Sequence, residues 1–271
     1  MRYFNRRPDW GPERGLALTR RESRLPDISL ILPTRERPTQ ARQALDSVAR
    51  TADRPRQLEV ILYVDLDDVP SHGIEHPDLK VVKLIRPRAK MGAMTQACYA
   101  ASAGRYVMLL NDDVVCRTAG WDAAILARLE QYADDVALVW GNDLFRGATL
   151  PSHPILARTA CAIMGGVCPQ KYHRDYIDAH IYDVFCALRR LGHDRLVYLP
   201  DVVFEHMHVE AGKAPFDNTA VKQRKTDDEL TYIAWAEERW LAAARLARHI
   251  ETAAAGLRPA ARQRGPERAT L

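Results

Sequence analysis

The 271-residue sequence predicts an α/β fold, a mostly parallel sheet with helices on both faces, followed by a long C-terminal helix. Three observations carry this. Short apolar, β-branched runs recur, helical patterns separate them, and the length suits one large domain with its own core better than two independent ones. The expected organisation is an arm over residues 1–26, two halves of one domain over 27–115 and 116–210, a loop and C-terminal helix over 211–255, and a disordered tail over 256–271.

Order begins with Ile28-Ser29-Leu30-Ile31-Leu32, the kind of run a parallel sheet buries, and Pro33 ends it. Ala41, Ala44, Leu45, Val48 and Ala49 then fall at i, i+3, i+4, i+7 and i+8, one face of a helix over residues 39–52. Residues 58–64 form a second strand, which ends in the acids Asp65, Asp67 and Asp68. A third strand at 79–85 precedes a helix marked by Met94, Ala97, Cys98 and Ala101, with Gly104 placed to stop it. Residues 106–110 form a fourth strand, running straight into Asn111-Asp112-Asp113.

Downstream the pattern predicts a helix over 121–132, a strand over 136–140, and a loop-rich stretch to Gly165-Gly166. Ile181, Val184, Phe185, Leu188 and Leu191 make a helix stripe that Gly192 closes. Two extended segments, 196–199 and 202–204, flank Pro200 and deliver His206 and His208. Thr226 and Glu229 form a capping box for a long helix with the seam Ile233, Ala236, Trp240, Ala243, Ala247 and Ile250. That seam packs on the domain or on a second subunit, which would make a homodimer.

The net charge of +4 gathers at the ends, around Arg6-Arg7, Arg20-Arg21 and residues 258–268, and reads as solvated tails. No nucleic-acid motif accompanies it, so no nucleic-acid partner is expected. Five cysteines lie scattered without CxxC or zinc spacing, which argues against a complete disulfide framework and for a cytoplasmic location. There is no apolar leader and no run of ~18 apolar residues. The expectation is neither secretion nor membrane spanning, and at most a peripheral membrane contact.

In open parallel sheets, ligands bind beyond the carboxyl ends of the strands. That rule singles out 33–37, 65–68 and 111–113. Two adjacent carboxylates repel unless a cation or water neutralises them, and oxygen ligands at such a place suit Mg²⁺ or Mn²⁺. A hard cation there also holds diphosphate oxygens. The ordinary alternative is an Asx turn ending the strand. Arg86, Arg88 and Lys90 read either as phosphate neighbours or as a solvated charge run. The loop over 209–218, with Gly212, Lys213 and Pro215, has the composition of a lid.

From residue 28 to 208 the chain resembles the inverting family-2 glycosyltransferases of the GT-A fold, whose sheet is Rossmann-like. Leu32-Pro33-Thr34-Arg35-Glu36-Arg37 is similar to that family's opening strand and PTxxR-type loop, and Val64-Asp65 to its strand-end aspartate. Met91-Gly92-Ala93 resembles the glycine-started helix, and the run from Ala103 into Asn111-Asp112-Asp113 the DXD-type strand. Tyr182-Asp183, continuing to Arg189, Arg190 and Gly192, looks like the family's acid-Asp-x5-Arg-x2-Gly segment, and Leu199 to His206 like its strand ending in histidine. Departures are Thr95 and Gln96 where asparagine is usual, NDD in place of DxD, and Tyr182 in place of an acid.

The resemblance implies that residues 27–115 bind a nucleoside-diphosphate sugar and 116–210 a hydroxyl acceptor, which is a glycan, a lipid-linked species or a small molecule. It makes Asp183 the catalytic base, and Pro33, Thr34, Arg35, Arg37, Asp65, Lys90, Gly92, Asn111 and Asp112 nucleotide contacts. Asp113 becomes the direct ligand of Mn²⁺ or Mg²⁺, completed by His206 or His208; two residues apart in an extended chain, these face the same side. Two other readings stand beside it. A sugar-phosphate nucleotidyltransferase shares the architecture, but residues 33–37 lack the glycine-rich phosphate loop it needs. A catalytically silent nucleotide-binding scaffold would use the C-terminal helix as its partner surface.

Overall fold

The computed structural model describes residues 25–207, 212–213 and 227–256. Strand β1 (Ile28–Thr34) pairs in parallel with β2 (Leu58–Asp65) and β4 (Tyr106–Leu109), and β2 with β3 (Lys80–Arg86). A second parallel pair, β6 (Leu138–Asn142) and β8 (Leu196–His206), is joined to the first group by β7 (Ile155–Ala157), which is antiparallel to β4 and β6. β5 (Val114–Cys116) runs antiparallel to the end of β8. The eight strands form one sheet in the order β3-β2-β1-β4-β7-β6-β8-β5, the mostly parallel α/β sheet expected of a GT-A fold.

The side-chain alternation of β1 shows how the layers form. Ile28, Leu30 and Leu32 enter a core with α1 (Pro38–Thr51) and α4 (Trp121–Leu129). Ile31 points to the opposite face, into a core with α3 (Met91–Ala101), α5 (Arg158–Met164), α6 (Ile177–Arg190) and α8 (Ala236–Gly256). With helices on both faces, every residue of β2 is buried, which explains its unbroken apolar run apart from Glu59 and Asp65. Two shorter helices, α2 (Val69–His72) and α7 (Asp228–Ala234), follow β2 and precede α8. Among the described residues no helix is long and apolar enough to cross a membrane.

Gly192 closes α6 as expected. It has φ of +94°, its N–H donates to the Arg189 carbonyl at 3.0 Å, and the next N–H, of His193, donates to Leu188 at 3.2 Å. Gly104 plays no such part. α3 already ends at Ala101, and a Cβ on Gly104 would meet Ser29 Oγ at 2.5 Å and Ser29 N at 2.7 Å. Its glycine permits close approach to β1, not a left-handed turn.

The C-terminal helix also departs from expectation. It breaks at Trp235 into α7 and α8, and its buried stripe is Arg239, Ala242, Ala243, Leu246, Ala247 and Ile250. Ile233, Ala236 and Trp240, expected in the seam, are exposed. Thr226 lies outside the described residues; Asp227 occupies the N-cap position, with no side-chain capping hydrogen bond. The two extended segments around Pro200 are one strand, β8, whose pairing with β6 shifts register between Gly141 and Asn142.

Candidate functional site

The carboxyl ends of β1, β2 and β4 lie side by side, and the loops that leave them carry the polar residues. Thr34, the last residue of β1, donates from Oγ1 to Asp112 Oδ2 at 2.8 Å. Three residues on, Arg37 Nη1 reaches Asp112 Oδ1 at 3.2 Å and Asp113 Oδ2 at 3.6 Å. Asp112 is buried, and burial together with the charge of Asp113 pushes its carboxyl up to about 6. Burial opposes ionisation of Asp113 too, but His206 and Arg37 hold its carboxyl below the usual range.

His206 arrives through strand pairing. In the β5–β8 ladder Val114 sits opposite His206, and the N–H of Met207 donates to the Asp113 carbonyl at 2.8 Å. This brings His206 Nε2 to 3.2 Å from Asp113 Oδ1. The same histidine's N–H donates to the carbonyl of Asp143, a buried residue whose side chain accepts from Phe145, Arg146, Gly147 and Ser152. Asp143 therefore fixes both the loop that follows β6 and the backbone of His206. His153 packs edge-on against the His206 ring, 5.3 Å between centroids, and both its ring nitrogens are buried without a hydrogen bond.

A second group surrounds the end of β2. Arg35 Nη1 lies 2.5 Å from Asp65 Oδ2, and the same guanidinium grips Asp67 at 2.8 and 3.0 Å. Asp65 is fully buried and its Oδ1 has no partner. Glu36 has φ of +56°, and its N–H donates to Asp68 Oδ2 at 2.7 Å, which turns the loop so that Arg35 faces β2. Pro33 is half-buried in β1, and Asn111 and Lys90 are exposed. Gly92 already uses its N–H on the Tyr172 carbonyl at 2.9 Å, and a Cβ there would meet the Pro169 carbonyl oxygen at 2.3 Å. Its glycine is needed for contact with the segment before α6.

Asp183 stands in the second turn of α6. That helix leads into β8, which runs parallel to β6, so its first turns lie toward the carboxyl ends of these strands. The carboxylate is held by Arg239 of α8, Nε to Oδ2 at 2.6 Å. His208 lies outside the described residues. The structure thus gathers Thr34, Arg37, Asp112, Asp113 and His206 in one cluster and Arg35 with Asp65 in an adjoining one. Asp143, His153 and Arg239 were not singled out from the sequence. For Arg239 the signal was an arginine at the spacing of an apolar stripe.

The cluster fits a hard divalent cation. Asp113 Oδ1 is buried and His206 Nε2 lies 3.2 Å from it, so an oxygen and a nitrogen of the kind such a cation accepts converge at one place. Among the described residues no group of three or more His, Cys, Asp and Glu side chains could hold a metal.

A family model described as "Glycosyl transferase family 2" matches residues 29–195. Among solved structures, the mannosyltransferase PcManGT from Pyrobaculum calidifontis, in complex with GDP-Man and Mn²⁺, superposes with a TM-score of 0.50 at 18% identity, covering 86% of this chain and 76% of that one. TarS from S. aureus gives 0.49 at 16% identity, over 66% of this chain and 36% of that one. Glucosyl-3-phosphoglycerate synthase from Mycobacterium tuberculosis, with Mg²⁺ and UDP, gives 0.46 at 14%, over 83% and 80%. A search of curated proteins returned no match.

Proposed function

The chain belongs to glycosyl transferase family 2, and from that premise we propose that it moves a sugar from a nucleoside-diphosphate sugar to a hydroxyl acceptor with inversion, in glycan or polysaccharide synthesis, using Mn²⁺ or Mg²⁺. The family decides for glycosyl over nucleotidyl transfer. The observation that carries the finer reading is the convergence of Asp113 and His206, with Arg37, Thr34 and Asp112 around them, beyond the ends of β1 and β4. Asp113 and His206 would hold the cation, which when bound neutralises charge gathering on the departing diphosphate.

The remaining residues divide the work by position. Asp65, with an unpartnered buried oxygen, accepts an N–H of the base, and Arg35 stands over the same pocket. Thr34 and Arg37 orient Asp112, and Arg37 puts a cation beside the phosphates. Asp183 is the base: it takes the acceptor hydroxyl's proton as that oxygen bonds to the anomeric carbon, and the bond from that carbon to the diphosphate oxygen breaks with its electron pair leaving on the diphosphate.

Thermal stabilisation by UDP, GDP, dTDP and CMP sugars, each with and without Mn²⁺ or Mg²⁺, tests the donor half of this proposal. A metal-dependent rise in melting temperature with at least one donor is expected; no rise, or a rise indifferent to metal, overturns it. For the acceptor half, Asp183→Asn should keep donor binding and lose transfer. Full transfer in that variant would remove Asp183 from the base role, and absent turnover by the unaltered protein despite tight donor binding would favour a silent scaffold.

A further inference from the structure

Arg239 is a charged residue in the middle of the buried stripe of α8, 4% exposed. A buried guanidinium is costly unless its charge and its donors are all engaged. Here they are engaged in three ways. Nε donates to Asp183 Oδ2 at 2.6 Å, Nη1 donates to the Tyr232 carbonyl at 2.5 Å, and the guanidinium lies over the Tyr232 ring, 3.7 Å from its centroid. Tyr232 in α7 and Arg239 in α8 thus form a fixed clamp on one carboxylate of α6.

That carboxylate does not need the clamp to attach the helix. Ala242, Ala243, Leu246, Ala247 and Ile250 already bury α8 against the same core as Ile181, Val184 and Phe185 of α6. Replacing a buried ion pair by apolar side chains is often neutral or stabilising, so packing alone would favour a leucine at this place. What the arginine adds is direction. It occupies Oδ2, while the Asp183 side chain keeps 37% of its surface exposed.

We infer that Arg239 is a positioning residue for sugar transfer: it fixes the Asp183 carboxylate in one orientation, with Oδ2 tied to the guanidinium and the exposed part of the side chain presented to the acceptor hydroxyl. This rests on Asp183 being the base. It also gives the C-terminal helices a part in the reaction, although the family match ends at residue 195 and Arg239 lies beyond it. A free carboxylate rotates about its side-chain torsions, and a misaligned base loses rate without losing substrate.

The test compares Arg239→Gln, Arg239→Lys and Leu246→Ala in the full chain. Leu246 is fully buried in the same α8 stripe, so its truncation loosens the helix while leaving the clamp's atoms in place. At a temperature where all variants are folded, Arg239→Gln should lower kcat at saturating acceptor about 10- to 100-fold with donor KM and donor-induced stabilisation unchanged. Leu246→Ala should lower the melting temperature and leave kcat within about two-fold. Arg239→Lys, which keeps a charge but not the rigid fork of the guanidinium, should recover part of the lost rate. The inference is overturned if Arg239→Gln keeps wild-type kcat, or if it loses no more than Leu246→Ala. Should the glutamine variant fail to fold, the lysine variant decides: an unchanged kcat there overturns the inference, and a several-fold loss with donor KM intact supports it. Full transfer by Asp183→Asn would instead remove the premise, a separate outcome from any of these.

Discussion

His206 Nε2 lies 3.2 Å from Asp113 Oδ1, and the register of β8 against β5 puts it there. Asp113 directly precedes β5 and its carbonyl accepts from the Met207 N–H next to His206, so neither residue can retreat without undoing backbone hydrogen bonds. If these two side chains hold the cation, Asp113→Asn and His206→Ala should each remove the metal-dependent part of donor stabilisation, about 2–3 kcal/mol at donor near 100 times its dissociation constant. The metal-independent part, contributed by the Asp65 pocket, should persist. Calorimetric melts with donor alone, metal alone and both together separate the two. A variant that keeps the full metal-dependent rise would place the cation elsewhere.

Asp112 predicts a stability change of unusual sign. Burial and the charge of Asp113 raise its carboxyl to about 6, so without a cation the folded protein binds this proton more tightly than the unfolded chain does. The stability it contributes is complete below the ordinary carboxylate range and is lost as pH rises through about 6. Asp112→Asn should therefore match the metal-free wild type at pH ~3 and exceed it at pH ~7.5 by roughly 1–3 kcal/mol, since each tenfold gain in proton affinity on folding is worth about 1.4 kcal/mol. Urea melts of metal-free protein at the two pH values read this directly. A gap that does not widen with pH would mean that Asp112 is ionised without strain.

What could be read beforehand followed from periodicity and local chemistry. β1, β2 and α1 were plain because Ile28 to Leu32 and Ala41 to Val48 obey different periods, and Gly192 was plain because a left-handed residue after a helix stripe has one common use. Gly104 sits where a glycine that closes a helix would, but glycine also serves close approach, and only the position of Ser29 tells the two uses apart. The expected seam of α8 holds at Ala243, Ala247 and Ile250, but by running through Trp240 and not Arg239 it leaves out Ala242 and Leu246. β5 and β7, three residues each, are too short to show a period, yet they fix the positions of His206 and His153. The acids at the strand ends were visible in the sequence, whereas the company they keep depends on pairings nearly a hundred residues apart.

Gly104 carries a structural prediction that follows from its true role. Its N–H donates to Ser29 Oγ at 2.8 Å and lies 3.1 Å from Glu59 Oε1, which also accepts from Ser29 and Ala103. An added methyl would meet the backbone of residues 28 and 29, which cannot yield as the tip of a long side chain does. Gly104→Ala should therefore destabilise the protein by about 2–3 kcal/mol or more. Ser29→Ala should not rescue it, because Ser29 N remains 2.7 Å from the new Cβ. A loss under about 0.5 kcal/mol in a urea melt, where surface substitutions usually fall, would mean that β1 and the turn before β4 are further apart than they stand here.

His180, on α6 one turn before Asp183, lowers the stability of the fold in acid. It is buried, its Nδ1 pairs with the Tyr172 hydroxyl at 3.0 Å, and burial together with Arg239 depresses its pKa to about 4. The folded protein therefore keeps the ring neutral while the unfolded chain protonates it at the ordinary value near 6.5. Stability from this group is complete above about 6.5 and falls as pH drops toward 4, by at most ~3 kcal/mol for a pKa depressed this far. His180→Gln keeps a polar partner for Tyr172 and removes the titration, so its deficit against wild type should shrink from pH 7.5 to pH 4.5. Parallel melts across that range check this, and a deficit that stays constant would show that the ring takes up its proton inside the fold.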